Sequence, residues 1–392
     1  MATAQDLVRL GLLFSTTGPY AALGREGLAG ASAAVAEINE TGAYGLRLAA
    51  EARDPGGWSE LYASMAGDMV AASGTRHIVG CTTSWSRKEL IPVLEKTGTM
   101  LWYPCPYEGF ECHEQVVYLG ASPNQHVLPL LDYILPRFGS QAFLVGSNYI
   151  WGWETSRIAR DIIEHSGGAV LGERYVPLGD ADVGRLIEEI RAKRPAFVLN
   201  TLVGPSSYAF LAAYHALGQA DAAFDQAVRP VISCNFAESE AAALGAVAAG
   251  QYVIAPYFQS LDTPENARFL AVAARHAPQM PQVSAFFAQA YAAVHMLALG
   301  IAEAGSDKPE AVRAAVTRMS YVAPFGPISI DAATNHAILV PRIGRADAGG
   351  RFEVVADAGE AMVPDPYLAH SSLAVGPVPR AGDRAAHLRV IK

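Results

Sequence analysis

Trp102-Tyr103-Pro104-Cys105-Pro106-Tyr107-Glu108-Gly109-Phe110 follows Gly80-Cys81-Thr82-Thr83-Ser84-Trp85-Ser86-Arg87-Lys88 by about twenty residues. Each stretch starts as the end of an apolar run and opens into a loop, so the two read as consecutive strand ends. Consecutive parallel strands set such loops side by side, at the edge where open α/β sheets take their ligands. The first loop brings a hydroxyl and a helix start. The second brings tyrosines held by two prolines. Together they predict a small polar pocket with apolar walls and no nucleophile paired with a base.

Strand and helix alternate on either side of this pair. The spacing predicts strands over Val8–Phe14, Leu46–Ala52, His77–Cys81 and Thr99–Tyr103, with helices over Gly24–Asn39, Ser59–Ala72 and Ser86–Lys96. Pro92 falls inside the third helix, where it removes a backbone donor. The pattern restarts after Ser122-Pro123-Asn124-Gln125, with helices over Val127–Arg137, Glu154–His165, Asp182–Lys193 and Ser206–Leu217. Its strands are Ala142–Gly146, Gly168–Tyr175 and Ala196–Asn200. From Ala255-Pro256-Tyr257 the texture changes to Ala-rich helices (Pro264–His276, Ser284–Ala304, Lys308–Met319). Short strands follow over Ile328–Ile330, Ala337–Ile343 and Phe352–Ala356.

This order implies an α/β protein of two doubly wound parallel-sheet lobes joined by three crossover segments, each marked by proline, near 123, 256 and 324. The N-terminal lobe is expected over 1–122 plus 257–325 and the C-terminal lobe over 123–256 plus 326–392. Rigid lobes on three linkers are expected to hinge about a cleft.

At 392 residues the chain exceeds what one core sustains, and 51% hydrophobic with 17% charged residues excludes wholesale disorder. A net charge of −9 argues against nucleic acid or an anionic membrane as a direct partner. The N-terminus shows no basic segment followed by an apolar one, which predicts no signal peptide and a cytoplasmic location. A periplasmic location is the alternative, should a leader precede Met1 in the native protein. No uncharged stretch reads as a membrane span. Cys81, Cys105, Cys112 and Cys234 form no CxxC and read as free thiols; whether Cys105 and Cys112 pair is left open.

Ser86-Arg87-Lys88-Glu89 reads as a capping box, leaving Ser84 in the preceding loop as a ligand contact. Tyr103 and Tyr107 flank Pro104-Cys105-Pro106, a frame that restricts the loop before folding. Cys105 reads as a wall residue, since no histidine adjoins it before His113. In the second lobe Ser147-Asn148-Tyr149-Ile150-Trp151-Gly152-Trp153 is the equivalent strand-end loop. Gly24, Gly27 and Gly30, three apart, indicate close helix packing rather than a phosphate loop. His113, His126 and His165 lack metal-ligand spacing, and Asp54 reads as a turn residue. No GxSxG or HExxH occurs. The chain is therefore expected to have no catalytic residues, cofactor or metal.

Gly80-Cys81…Ser84…Ser86-Arg87-Lys88, Tyr103-Pro104…Pro106-Tyr107-Glu108-Gly109, Pro123-Asn124-Gln125 and Gly146-Ser147…Tyr149-Ile150 together resemble the type I periplasmic-binding-protein family. Within it the chain is most similar to the short-chain amide and urea binders, above all the amide-sensing negative regulators of bacterial aliphatic amidase operons. Asp54-Pro55-Gly56-Gly57, Ala255-Pro256-Tyr257-Phe258, Asn335-His336 and Asp365-Pro366-Tyr367 extend the resemblance from about Val8 to Tyr367. It implies a small neutral amide or urea held in the interlobe cleft by Ser84, Tyr103 and Tyr149, with Cys105 and the Thr82 loop shaping the pocket. Trp85 and Pro106 beside them complete the candidate set. Cys105 replaces the regulator's threonine and Thr82 its tyrosine, so the size of the preferred amide is left open. The resemblance further implies a ligand sensor acting on an RNA-binding antitermination partner. The alternative is the solute-binding component of an ABC transporter for urea or short-chain amides. Oligomeric state is left open, a homo-oligomer included.

Overall fold

A computed structural model describes residues 6–373 and 389–390. The lobe ends assigned above to residues 1–5, 374–388 and 391–392 lie outside the described residues. The chain divides into two compact units. Unit 1 holds the chain up to Tyr107, Glu111–Gly120 and Leu261–Ile338; unit 2 holds Glu108–Phe110, Ala121–Ser260 and the chain from Leu339.

Unit 1 begins with β1 (Asp6–Leu13), α1 (Ala21–Thr41), β2 (Leu46–Arg53), α2 (Ser59–Ser73), β3 (His77–Gly80), α3 (Ser84–Thr97), β4 (Met100–Tyr103) and β5 (Val116–Tyr118). These five strands form one sheet, all parallel, in the order β2-β1-β3-β4-β5. Unit 2 continues with α4 (Val127–Phe138), β6 (Gln141–Ser147), α5 (Ile150–His165), β7 (Ala169–Val176), α6 (Gly184–Lys193), β8 (Phe197–Thr201), α7 (Pro205–Ala220), β9 (Val231–Ser233), α8 (Glu238–Leu244) and β10 (Tyr252–Ala255). Unit 1 resumes with α9 (Pro264–His276), α10 (Ala285–Ala304), α11 (Pro309–Val316), β11 (Ser320–Ala323), β12 (Gly326–Ile330) and β13 (Ala337–Ile338). Unit 2 closes with β14 (Arg342–Ala346), β15 (Phe352–Asp357) and β16 (Arg389–Val390). The parallel strands of unit 2 repeat the winding of unit 1, in the order β7-β6-β8-β9-β10, and β14 to β16 extend them antiparallel.

The chain passes between units five times rather than three, because Glu108–Phe110 makes a short excursion into unit 2, and the last passage follows Ile338, not Phe325. Ser320–Ala323 pairs antiparallel with Gly326–Ile330, so Pro324-Phe325 is a hairpin turn inside unit 1 rather than a crossover. The predicted strand Ala337–Ile343 is divided by Val340-Pro341 between β13 and β14, since proline cannot donate to a ladder.

The glycine spacing in α1 does serve close packing. A Cβ on Gly24 would lie 1.7 Å from the Ser15 carbonyl oxygen, one on Gly27 2.5 Å from the Phe14 ring, and one on Gly30 2.2 Å from the Phe287 carbonyl oxygen. α10 thus lies directly on α1, and the buried Glu26 carboxylate caps it by accepting from Ser284 N at 2.8 Å and Ser284 Oγ at 2.5 Å. Among the described residues α10 is long and apolar enough to cross a membrane, which corrects the expectation that no such stretch exists. Its side chains are instead largely buried within unit 1.

Candidate functional site

The strand order of unit 1 reverses between β1 and β3, where doubly wound sheets open a crevice at their carboxyl edge. Leu13 pairs with Gly80, so the loops after β1 and β3 leave the sheet together. They are tied closely. Cys81 N donates to Leu13 O at 2.9 Å, and a Cβ on Gly80 would meet that oxygen at 2.2 Å. Cys81 itself adopts the left-handed region, at φ 64°, costly for a residue with a side chain. Asp54 fastens the rim as a turn residue. It accepts from Thr16 N and Oγ1, Thr17 Oγ1 and Gly56 N, and these bonds outweigh burial to hold its carboxyl below the usual range.

Helix α3 starts two residues earlier than its sequence suggests. Thr83, not Ser86, is the cap: Thr83 Oγ1 accepts from Ser86 N at 3.3 Å, and Ser86 Oγ accepts from Thr83 N at 3.2 Å. The usual box ends in Glu or Gln, which pointed to Ser86 and Glu89; here a serine closes it. Ser84 therefore stands in the first turn and is buried.

Tyr103, at the end of β4, is buried with its Oη 3.5 Å from the Thr82 carbonyl oxygen. Cys105 Sγ lies 3.5 Å from Cys81 O. Thr82 is buried, and its Oγ1 has no hydrogen-bond partner among the described residues. Thr82, Ser84, Tyr103 and Cys105 thus share one edge of unit 1. Pro106 is half-buried, while Trp85 is 41% exposed. Tyr149 belongs to unit 2, where it precedes α5 at the end of β6 and is buried. Beside it Ser147 Oγ accepts from Val203 N at 3.1 Å, Trp153 Nε1 donates to Asn148 Oδ1 at 3.0 Å, and Trp151 packs on His126.

Behind Tyr103 lies an ion pair that the sequence did not reveal. Arg87 is fully buried, and its Nε donates to Glu111 Oε1 at 2.6 Å. Lys88 Nζ and Tyr118 Oη also donate to Glu111, at 2.7 and 2.8 Å. Burial alone would raise the Glu111 pKa, but the Arg87 and Lys88 charges bring it down to about 2. A buried arginine needs a partner, yet nothing in the sequence links position 87 to position 111.

All four cysteines are free thiols, so Cys105 and Cys112 do not pair. Burial pushes the Cys81 thiol up to about 12 and raises Cys105 further, which leaves neither as a thiolate near neutral pH. Among the described residues no group of three or more His, Cys, Asp or Glu side chains is placed to hold a metal.

Two doubly wound units, each completed by chain from beyond the other, constitute the type I periplasmic-binding-protein fold. The family model described as the periplasmic binding protein domain matches residues 8–373, and the chain belongs to that family. It is 25% identical over 358 residues to the Leu/Ile/Val-binding protein homolog 6 of Brucella abortus (strain 2308), across 89% of this chain and 90% of that one. Two solved structures share the fold. One is an ABC transporter solute binding protein from R. palustris in complex with 4-hydroxybenzoate (TM-score 0.78, 21% identity, 89% of this chain and 95% of that one). The other is a branched-chain amino acid transporter substrate binding protein from Streptococcus pneumoniae in complex with isoleucine (TM-score 0.78, 17% identity, 92% and 100%).

Proposed function

We propose that this protein is the solute-binding component of an ABC importer, and that its ligand is a small uncharged amide or urea. The family match over residues 8–373 carries the first part. The transporter names of the two solved structures favour this reading, and with it a periplasmic location, over the cytoplasmic sensor expected from the sequence. The unit 1 edge supports the second part. Its polar groups are hydroxyls, a thiol and a helix start, while the nearby charges are already matched, Arg87 by Glu111 and Asp54 by its own turn. An amide offers one carbonyl acceptor and two N–H donors, which Ser84 and Tyr103 at this edge complement. Thr82, Cys105, Trp85 and Pro106 shape the wall and set the size limit.

Isothermal calorimetry against formamide, acetamide, propionamide, butyramide, urea, isoleucine and 4-hydroxybenzoate tests the ligand. Heat from an amide or urea alone is expected; binding only of isoleucine or 4-hydroxybenzoate would overturn the ligand class. Fractionation of the native cells tests the location. Recovery with cytoplasmic proteins, bound to an RNA-binding partner, would return the sensor reading to first place.

A further inference from the structure

The guanidinium of Arg87 lies 4.8 Å from the centroid of the Tyr103 ring and 4.7 Å from that of Tyr107, with Tyr118 at 5.9 Å. Glu111 grips its edge through Nε to Oε1 at 2.6 Å and Nη2 to Oε2 at 3.4 Å. The far side of this cluster is anchored as well. Tyr118 stacks on His336 at 4.1 Å between centroids and 2° between planes, and Tyr107 Oη lies 2.5 Å from His336 Nε2. Tyr107, Tyr118 and His336 each stand within two residues of a passage between the units.

A buried ion pair is a poor way to gain stability, because apolar residues of similar volume serve as well or better. What the pair offers here is geometry. A guanidinium is planar, holds a carboxylate by two donors and attracts ring faces, whereas a lysine ammonium is a point charge without that fork.

We propose that Arg87 is a positioning residue: held by Glu111, it fixes the ring of Tyr103 in the ligand wall. The side chain is 0% exposed, so it acts through Tyr103 and not on the ligand. The inference rests on the reading of Tyr103 as a ligand contact.

Fluorine NMR of the full-length protein, with 3-fluorotyrosine placed at position 103, tests the grip without any ligand. A single narrow resonance is expected, which shifts and broadens in Arg87→Lys while a second probe at Tyr214 in unit 2 stays unchanged. An unchanged Tyr103 resonance in Arg87→Lys would overturn the proposal. If that variant loses its Tyr214 signal through unfolding, Glu111→Gln replaces it, with the same shift expected and an unchanged resonance again decisive against the idea. Calorimetry adds a second arm, using whichever panel compound the wild type binds. Arg87→Lys should weaken binding roughly tenfold, the scale of a desolvated cation–ring contact, but should change nothing further in a Tyr103→Leu background. Equal losses in both backgrounds would mean that Arg87 acts on the fold at large. Failure of every panel compound to bind wild type would refute the amide reading and leave the fluorine result to decide on Arg87.

Discussion

Gly24 and Gly67 are both helical glycines, yet alanine should act on them in opposite directions. At Gly24 the new methyl would fall 1.7 Å from a backbone oxygen that cannot move aside; at Gly67 it meets nothing within 4 Å. Gly24→Ala should cost roughly 1–3 kcal/mol through overpacking, and Gly67→Ala should add ~1 kcal/mol through helix propensity. Urea denaturation checks both. Ser84→Ala and Tyr103→Ala should each weaken ligand binding by ~1–3 kcal/mol, the cost of leaving a polar atom unpaired in a buried site. Calorimetry with both variants equal to wild type would show the contacts to be misplaced. The Gly24, Gly27 and Gly30 spacing was legible because helix packing leaves a local periodic mark. The Arg87–Glu111 pair was not, because it joins a helix to a loop whose path only the folded chain defines.

Thr83→Ala removes the cap of α3 and should cost ~1 kcal/mol, read as a lowered denaturation midpoint. Ser86→Ala should cost a similar amount, since the box is reciprocal. If α3 instead began at Ser86, as its sequence suggests, only the second change would register. The long amphipathic helices and the central strands were legible from their spacing. The strands and helix that escaped notice, β5, β9, β10, β11, β16 and α8, run to seven residues at most, too few to display a period. Pro324-Phe325-Gly326 looked like a crossover because proline and glycine punctuate hairpin turns and linkers alike, and only the pairing of β11 with β12 distinguishes them.

For the whole molecule the buried titratable groups predict acid lability. His77 and His336 are each pushed down by burial to about 4 from an ordinary value of 6.5. In the neutral ring, His77 Nδ1 accepts from Trp102 Nε1 at 3.3 Å, and His336 Nε2 meets the Tyr107 hydroxyl. The unfolded chain therefore binds more protons, and stability should fall as pH drops from 6.5 toward 4. Glu111, ordinarily near 4.5 and held at about 2, adds stability above its unfolded value that is lost as pH falls from 4.5 toward 2. Thermal unfolding from pH 7.5 to 3 should give a steadily lowered midpoint; a midpoint that rises on acidification would contradict these assignments. At this scale the doubly wound architecture was legible because strand and helix alternate over hundreds of residues, whereas the ligand was not, because pocket chemistry depends on a few side chains. The packing of α10 on α1 also bears on synthesis. Ribosomes deliver α1 early, but the helix that covers its Gly30 face comes only after the chain has left unit 1 at Gly120 and returned at Leu261. Until then the Gly30 face of α1 lacks its native cover, and transiently exposed apolar surface of this kind makes an incomplete chain prone to aggregate.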